Sequence, residues 1–260
     1  MTTGDGKRNG RRGDGTFAYS TCRARTAETT TLWQPFLKAD STYRQLKELV
    51  LNYRFRPGEP LSPISIADRL QVSATPVREA LARLHGEDLV GSVPNRGFFA
   101  KTLNAKSMRD HYEFAFQIAV YAIERGYSQF GTGKIALPEE TRVSRNDLIK
   151  NKIEQSVESQ VKLIERLYIY ISALADSQVM VDSIRKFNNQ TRFVRLIDLE
   201  MESNFQEITA DMSDLVGTLE RQDVTAAVAN LRRQRDRKLA RMNELVTEGI
   251  SRSLRQVYSE

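Results

Sequence analysis

A short stretch from Ser73 to Leu84 carries the residue types best suited to contact nucleic acid. Ser73 and Thr75 come just before Pro76. Proline is favoured in the first turn of a helix, where the amide groups have no partner within the helix. Such a helix start presents free amides and a positive dipole end to phosphate oxygens. Arg78 follows within the next turn and is the best candidate to read a base edge or a phosphate. The pattern predicts a helix whose N-terminus enters a major groove.

The same residues also have simpler interpretations. Arg78 can form an ion pair with Glu79 or Asp68, and Ser73 can be an N-cap that serves only its own helix. A three-helix unit with a hairpin can also contact protein alone. Spacing by itself favours the DNA contact over these alternatives.

Two further helices would position this stretch. Apolar residues recur every three or four positions over 41–54, which predicts a first helix. Ser62 can cap a short second helix that ends near Gln71. The third helix then runs to about Gly86.

A β-hairpin is predicted after the third helix, because two short apolar runs flank a turn sequence. The turn consists of Pro94, Asn95, Arg96 and Gly97. An arginine at such a tip can enter a neighbouring minor groove. Three helices followed by a hairpin make a winged helix-turn-helix over residues 41–103, and Asn95, Arg96 and Gly97 are therefore candidate DNA contacts.

The rest of the chain has the helical period, and no segment after Asn104 has the pattern of a strand. We predict an all-α bundle of six or seven helices over 104–250, with an irregular connection between Gly126 and Ser144 and a tail over 251–260. The nearly apolar segment 114–121 is predicted to be a core or dimer helix. The basic run 231–238 is predicted to be a solvated face or a partner of the acidic helix 200–220.

Composition narrows the function classes. The chain has 260 residues with a net charge of +6, and residues 1–25 contribute six Lys or Arg against two Asp. We predict a basic tail over 1–40, either solvated or in contact with DNA. Cys22 is the only cysteine, which excludes an intrachain disulfide and is typical of a reducing compartment. No apolar run is long enough for a membrane span, so a cytoplasmic protein is expected.

Enzyme chemistry finds little support in the residues. His85 and His111 are the only histidines, which makes a Ser-His-Asp triad or a histidine-rich zinc site improbable. No glycine-rich phosphate loop is visible, and paired catalytic carboxylates in a strand–loop setting are absent too. We predict a protein that is not an enzyme, with no cofactor and no metal.

Residues 44–103 resemble the reading head of the GntR family of bacterial transcription regulators. The resemblance rests on motifs that occur in order: Phe55-Arg56-Pro57-Gly58-Glu59, Val72-Ser73, Thr75-Pro76-Val77-Arg78-Glu79-Ala80-Leu81 and Asn95-Arg96-Gly97. It implies that Ser73, Thr75 and Arg78 contact operator DNA and that Arg96-Gly97 forms the wing tip. Ala74 stands where the family usually has arginine, so the resemblance also implies a different operator sequence or affinity.

The second domain resembles, in helix layout, the ligand domain of the fatty-acid-regulator (FCD-type) branch of this family. In that branch an Asp and three His commonly hold a metal that helps to fix a carboxylate effector. The equivalent positions here fall near Glu165, Ile169, Met212 and Gln234, and none of these is His. A three-histidine metal site therefore cannot form, and a hard-cation site at Glu165 is the remaining metal hypothesis.

Arginines can replace such a metal, because a guanidinium binds a carboxylate with two hydrogen bonds. Arg192 and Arg195 lie three apart on one predicted helix, and Glu165 and Arg166 lie on another. Alternatively these arginines are solvated or form salt bridges at a dimer interface, or Ile169 and Met212 close the cavity. The leading hypothesis is a dimeric regulator that binds a pseudo-palindromic operator and senses a small organic acid. The alternative is an interaction scaffold whose winged head has lost DNA specificity.

Overall fold

A computed structural model of the chain describes Met1 and residues 28–132 and 156–257. The described chain from Lys38 onward forms one compact unit that contains both the core of the head and the bundle. The fold class predicted from the sequence is confirmed: a winged helix-turn-helix precedes an all-α bundle. The basic segment 1–25 lies outside the described residues.

The head contains three helices, α1 (Glu28–Leu51), α2 (Pro63–Leu70) and α3 (Ala74–Gly86). The Ser62 hydroxyl caps α2 by accepting from the Ser65 amide at 3.4 Å, and Gln71 ends the helix in the left-handed region. Apolar side chains of all three helices form one buried core with Leu89 and Val90. This core fixes α3 against α1 and α2 and leaves one face of α3 exposed.

The wing is a hairpin of β1 (Val90–Val93) and β2 (Gly97–Ala100), with Val93 opposite Gly97. The extended segment before α2 pairs with β2 as a third strand would. The Leu61 amide donates to the Phe98 carbonyl at 2.8 Å, and the Ala100 amide donates to the Glu59 carbonyl at 2.9 Å. Proline at position 60 is tolerated because an edge strand leaves one side of its backbone unpaired.

The bundle has five α-helices within the described residues: α4 (Ala105–Gly126), α5 (Val157–Ala173), α6 (Gln178–Glu200), α7 (Glu202–Glu220) and α8 (Val224–Val257). A 3₁₀ turn, Tyr127–Gln129, follows α4. Most of the predicted irregular connection lies outside the described residues. Asp223 caps α8 by accepting from the Ala226 amide at 2.9 Å.

Two predicted boundaries were wrong. Helix α1 begins at Glu28, inside the segment predicted as a tail, and ends at Leu51 rather than at 54. Helix α8 continues to Val257, although a tail was predicted from 251. In both cases a helix extends beyond its clear apolar stripe, because each added residue contributes one backbone hydrogen bond once a helix has started.

Helix α8 also reaches the head. Its 34 residues span about 50 Å at 1.5 Å per residue. Near its end Ser253 is fully buried, and its hydroxyl lies 3.1 Å from the carbonyl oxygens of both Tyr53 and Phe55, between which its single proton is shared. Gly249 permits the approach, since a Cβ there would meet the Leu103 side chain at 2.6 Å. The head and the bundle therefore share a packed seam.

The Ser253 hydroxyl provides a test of this seam. Replacing Ser253 with alanine leaves the buried Phe55 contact and the part-buried Tyr53 contact without their shared donor. The free energy of unfolding should therefore fall by about 1–2 kcal/mol. Ser251→Ala is the matched control, because the Ser251 hydroxyl bonds only to the Thr247 carbonyl of its own helix. Urea unfolding of both variants measures the difference. Equal losses in the two variants would contradict a stabilising role of the seam.

Candidate nucleic-acid interface and bundle cavity

The start of α3 presents its polar groups outward. Ser73 occupies the N-cap position with extended backbone, but its hydroxyl makes no capping hydrogen bond. Ser73 and Thr75 are both exposed. The interpretation of Ser73 as a cap that serves only its helix therefore lacks its hydrogen bond, and the hydroxyl is available to a phosphate oxygen.

Arg78 lies on the same exposed side of α3. Val77, Ala80 and Leu81 are buried against the head core, whereas Arg78 and Glu79 face solvent. Among the described residues, neither of the two carboxylates considered as partners, nor any other, forms an ion pair with Arg78. Its guanidinium is thus presented to solvent, where it can meet a phosphate or a guanine edge. Pro76 lies in the first turn, half-buried, where its missing amide hydrogen costs nothing.

The wing tip projects from the hairpin with a tight turn. The Arg96 amide donates to the Val93 carbonyl at 3.0 Å, and Asn95 and Gly97 have positive φ angles of 62° and 85°. Asn and Gly tolerate this region best. All three residues are exposed, so the Arg96 side chain stands at the outer end of the wing.

The candidate effector residues have a different arrangement from the predicted one. The structure brings Glu165, Arg192 and Arg195 together: Arg195 Nη1 lies 2.8 Å from Glu165 Oε1, and Arg192 Nη1 lies 3.3 Å from Glu165 Oε2. Arg195 also donates to the Thr191 hydroxyl at 2.8 Å. The two arginines are therefore buried and already paired, because Glu165 supplies their carboxylate partner. Arg166 is half-buried nearby in the chain and does not line the cavity described next.

A cavity of about 50 Å³ lies between the bundle helices. Met212 and Gln234 line it, whereas Ile169 packs on a separate apolar cluster with Ile184 and Phe187. Ile169 and Met212 do not close the cavity together, because Ile169 is not among the residues that line it and a space of about 50 Å³ remains beside Met212. No group of three or more His, Cys, Asp or Glu able to hold a metal ion occurs among residues 28–132 and 156–257.

The basic run of α8 pairs with acidic side chains, as one of the two interpretations predicted. Arg233 lies 3.4 Å from Asp214, and Arg237 lies 2.6 Å from Glu207 and also contacts Asp211, all on α7. Lys238 pairs with Asp198 at the end of α6. These charges hold the helices together, so the run is not a free basic stripe.

Sequence reasoning missed most of the cavity. Tyr112, Tyr168 and Asp198 line it, and none of them was among the predicted effector residues. They come from α4, α5 and α6, and no spacing within one helix signals their proximity. The cavity is a product of helix packing.

Among the residues that the structure describes, no helix is long and apolar enough to span a membrane. A winged helix-turn-helix with an exposed arginine on its third helix, followed by a helical bundle, defines a class of DNA-binding transcription regulators. Residues 38–100 match the family of bacterial regulatory proteins called gntR. This part of the chain therefore resembles the DNA-binding helix-turn-helix of GntR-family transcription regulators.

Individual relatives agree with this assignment. The Nta operon transcriptional regulator of Aminobacter aminovorans is 28% identical over 208 residues, which are 79% of this chain and 96% of that protein. The HTH-type transcriptional repressor RspR of Escherichia coli strain K12 is 22% identical over 181 residues, 70% of this chain and 78% of the relative.

Solved structures share the fold. A GntR transcriptional regulator from Rhodococcus sp. RHA1 superimposes with a TM-score of 0.63 at 18% identity, covering 80% of this chain and 98% of the other. McbR/YncC of E. coli gives a TM-score of 0.61 at 16% identity, covering 79% of this chain and 97% of the other.

Proposed function

We propose that the protein is a homodimer that binds a pseudo-palindromic operator and changes its DNA affinity when a small molecule occupies the bundle cavity. Residues 41–103 are the DNA-binding domain, and the bundle from residue 104 onward dimerises and senses the effector. The bundle belongs in this proposal to the FCD-type branch, without that branch's metal. The single observation that carries DNA reading is the exposed, unengaged Arg78 on the solvent face of α3.

Two helices are suited to couple the cavity to the head. Helix α6 contributes Arg195 and Asp198 to the cavity, and its Gln190 donates to the Asp88 carboxylate of the head at 2.7 Å. Helix α8 contributes Gln234 to the cavity, and its Ser253 bonds the head backbone. A ligand that shifts either helix can therefore change the placement of the two heads, which is the differential affinity that regulation requires.

Asp88 is well placed to be the head's contact in this coupling. It follows the recognition helix α3 directly, and its carboxylate also lies 2.5 Å from Lys101 Nζ. Burial alone would raise the pKa of Asp88, but the hydrogen bond and charge of Lys101 outweigh it and lower the pKa below its ordinary value. The carboxylate therefore stays ionised at neutral pH and keeps its contacts.

Selection of bound fragments from genomic DNA tests the DNA-binding proposal. The full chain should enrich a short inverted repeat with half-sites about one helical turn apart. Its affinity should fall steeply with salt, with a log–log slope of about −0.9 per neutralised phosphate. Enrichment of no sequence, or an affinity that does not respond to salt, would favour the interaction-scaffold alternative.

The exposed side of α4 supports the dimer. Phe114 and Tyr121 lie seven residues apart on one face and remain 53% and 44% exposed, while Ala115, Phe116 and Ile118 are buried in the bundle. The segment 114–121 thus fills the core with one side and offers aromatic side chains on the other. Buried aromatic residues dominate the energy of protein interfaces.

Phe114→Asp should dissociate the dimer. A central aromatic side chain contributes about 2 kcal/mol or more to an interface, so the dimer dissociation constant should rise at least about 30-fold. Val179→Asp is the control, because Val179 on α6 is 76% exposed. Sedimentation velocity over a dilution series compares the two variants. A Phe114 variant that stays as dimeric as the Val179 variant would place the interface elsewhere.

A further inference from the structure

We propose that the bundle cavity binds a small uncharged molecule through a carbonyl oxygen, not an organic acid. This inference deepens the proposed effector role and rests on it only for the regulatory consequence. It follows from two features of the cavity: its positive charges already have partners, and a neutral hydrogen-bond donor has none.

The four cationic side chains that line the cavity all form ion pairs within the protein. Arg195 pairs with Glu165, Arg237 pairs with Glu207 and Asp211, and Lys238 and Arg241 both pair with Asp198. The Asp198 carboxylate also accepts from Asn204 Nδ2 at 2.9 Å. Every cation that lines the cavity thus has a carboxylate partner.

A carboxylate ligand would find no unpaired cation in this cavity. It would lie beside the carboxylates of Asp198 and Glu207, which line the same cavity. To gain a cation it would have to displace the half-exposed Glu207 or the Asp198 carboxylate, which is only 5% exposed. A displaced Asp198 would then be a buried charge without its partners. An uncharged ligand requires no such exchange.

The Tyr112 hydroxyl is the donor without a partner. Its oxygen is buried and forms no hydrogen bond with any residue in the described part of the chain. The Tyr112 ring is held edge-on against Phe187 at 5.1 Å between centroids, so the hydroxyl has a fixed position. A phenol donates one hydrogen bond, and a carbonyl oxygen of an amide, ketone or ester accepts it.

Tyr168 makes the site more suited to an uncharged guest. Burial raises the pKa of Tyr168 to about 12, with the nearby Tyr112 adding to the rise. Its phenol therefore remains neutral at physiological pH. Ile164, Leu199 and Ile208 form apolar walls, which fit the alkyl part of such a ligand.

The size of the space limits the ligand. A second cavity, also of about 50 Å³, adjoins the first and shares Tyr112, Tyr168, Phe187, Gln234 and Lys238 with it. Because one water molecule needs roughly 10–15 Å³ on this measure, each cavity has room for a few non-hydrogen atoms. Short aliphatic amides have this size, a carbonyl oxygen and no charge.

The test compares amides with carboxylates of the same shape. Acetamide, propanamide and butanamide are titrated against acetate, propanoate and butanoate into the full-length protein, without DNA and at constant ionic strength. Methyl-labelled methionine reports the binding by NMR, because Met212 lines the cavity whereas Met108 packs in the seam. We expect the Met212 signal, and not the Met108 signal, to shift to saturation with at least one amide. Its dissociation constant should be at least tenfold below that of the matching carboxylate.

Tyr112→Phe removes the proposed donor and keeps the ring. The dissociation constant of the best amide should rise about tenfold, which corresponds to one lost hydrogen bond, while Tyr121→Phe on the exposed side of the same helix should have no effect. A carboxylate that binds as tightly as its amide, an absence of saturation in both series, or an unchanged Tyr112→Phe variant would each overturn the proposal. DNA affinity is measured separately with the selected fragment. Saturating amide that leaves this affinity unchanged would support the site and contradict only its effector role.

Discussion

Arg78→Ala is expected to abolish sequence-specific retention of the selected DNA while leaving the dimer intact. An arginine contact to a base is worth roughly 1–3 kcal/mol of discrimination. A dimer has two such contacts, so the dissociation constant should rise by roughly 30-fold to 10⁴-fold. The buried core of the head does not include Arg78, and the melting temperature should therefore change little. Electrophoretic mobility shift with specific and random DNA measures the effect.

Arg232→Ala is the charge-matched control for this variant. Arg232 is exposed on α8, in the bundle, and its removal lowers the net charge by the same amount. We expect less than a threefold change in DNA affinity, since distant surface charges are screened over about 10 Å at ordinary salt. Equal losses in the two variants would mean that Arg78 contributes only to the general field of the protein and does not read the operator.

Glu165→Gln is expected to destabilise the bundle by about 3 kcal/mol. The substitution leaves Arg192 and Arg195 without their shared carboxylate, and their side chains are only 11% and 5% exposed. Removing one partner of a buried ion pair typically costs about 3–5 kcal/mol, and the value here is at the lower end because the Glu165 side chain keeps some contact with water. Chemical and thermal unfolding monitored by circular dichroism measures the loss.

Two comparisons separate this charge effect from a general loss of packing. Asp182→Asn breaks an exposed ion pair with Arg185 on the same helix α6 and should cost less than about 0.5 kcal/mol. Replacing Glu165, Arg192 and Arg195 together with Leu, Met and Met should cost less than Glu165→Gln alone, because no uncompensated charge remains. A triple variant that is less stable than Glu165→Gln would show that the ion pairs themselves stabilise the bundle.

Most of the fold of the head could be predicted from local sequence patterns. The cap at Ser62, the start of α3 after Ser73 and the turn at Asn95-Arg96-Gly97 all depend on interactions between residues a few positions apart. Their chemistry is therefore readable in order along the chain. The pairing of the Glu59 backbone with Ala100 involves residues 41 positions apart and has no local signature.

The arginines of the bundle illustrate where such patterns stop. The spacing of Arg192 and Arg195 placed them on one side of a helix, but it carried no information on whether the facing group would be a ligand or Glu165 of α5. Likewise, the nearly apolar segment 114–121 predicted a core or dimer helix without indicating which aromatic rings the bundle would cover.

The sequence by itself determined the order of the elements, the winged head, the side of α3 that faces outward and the absence of histidines for a metal site. These features depend on residue type and on periods of two to four residues. Only the tertiary structure decided that Glu165 neutralises the two arginines, that Ser253 and Gln190 join the bundle to the head, and that Tyr112 lacks a partner beside the cavity. Each of these contacts joins residues from different elements. Whether a charge is buried and paired depends on which side chains pack around it, and the order of residues along the chain does not specify those neighbours.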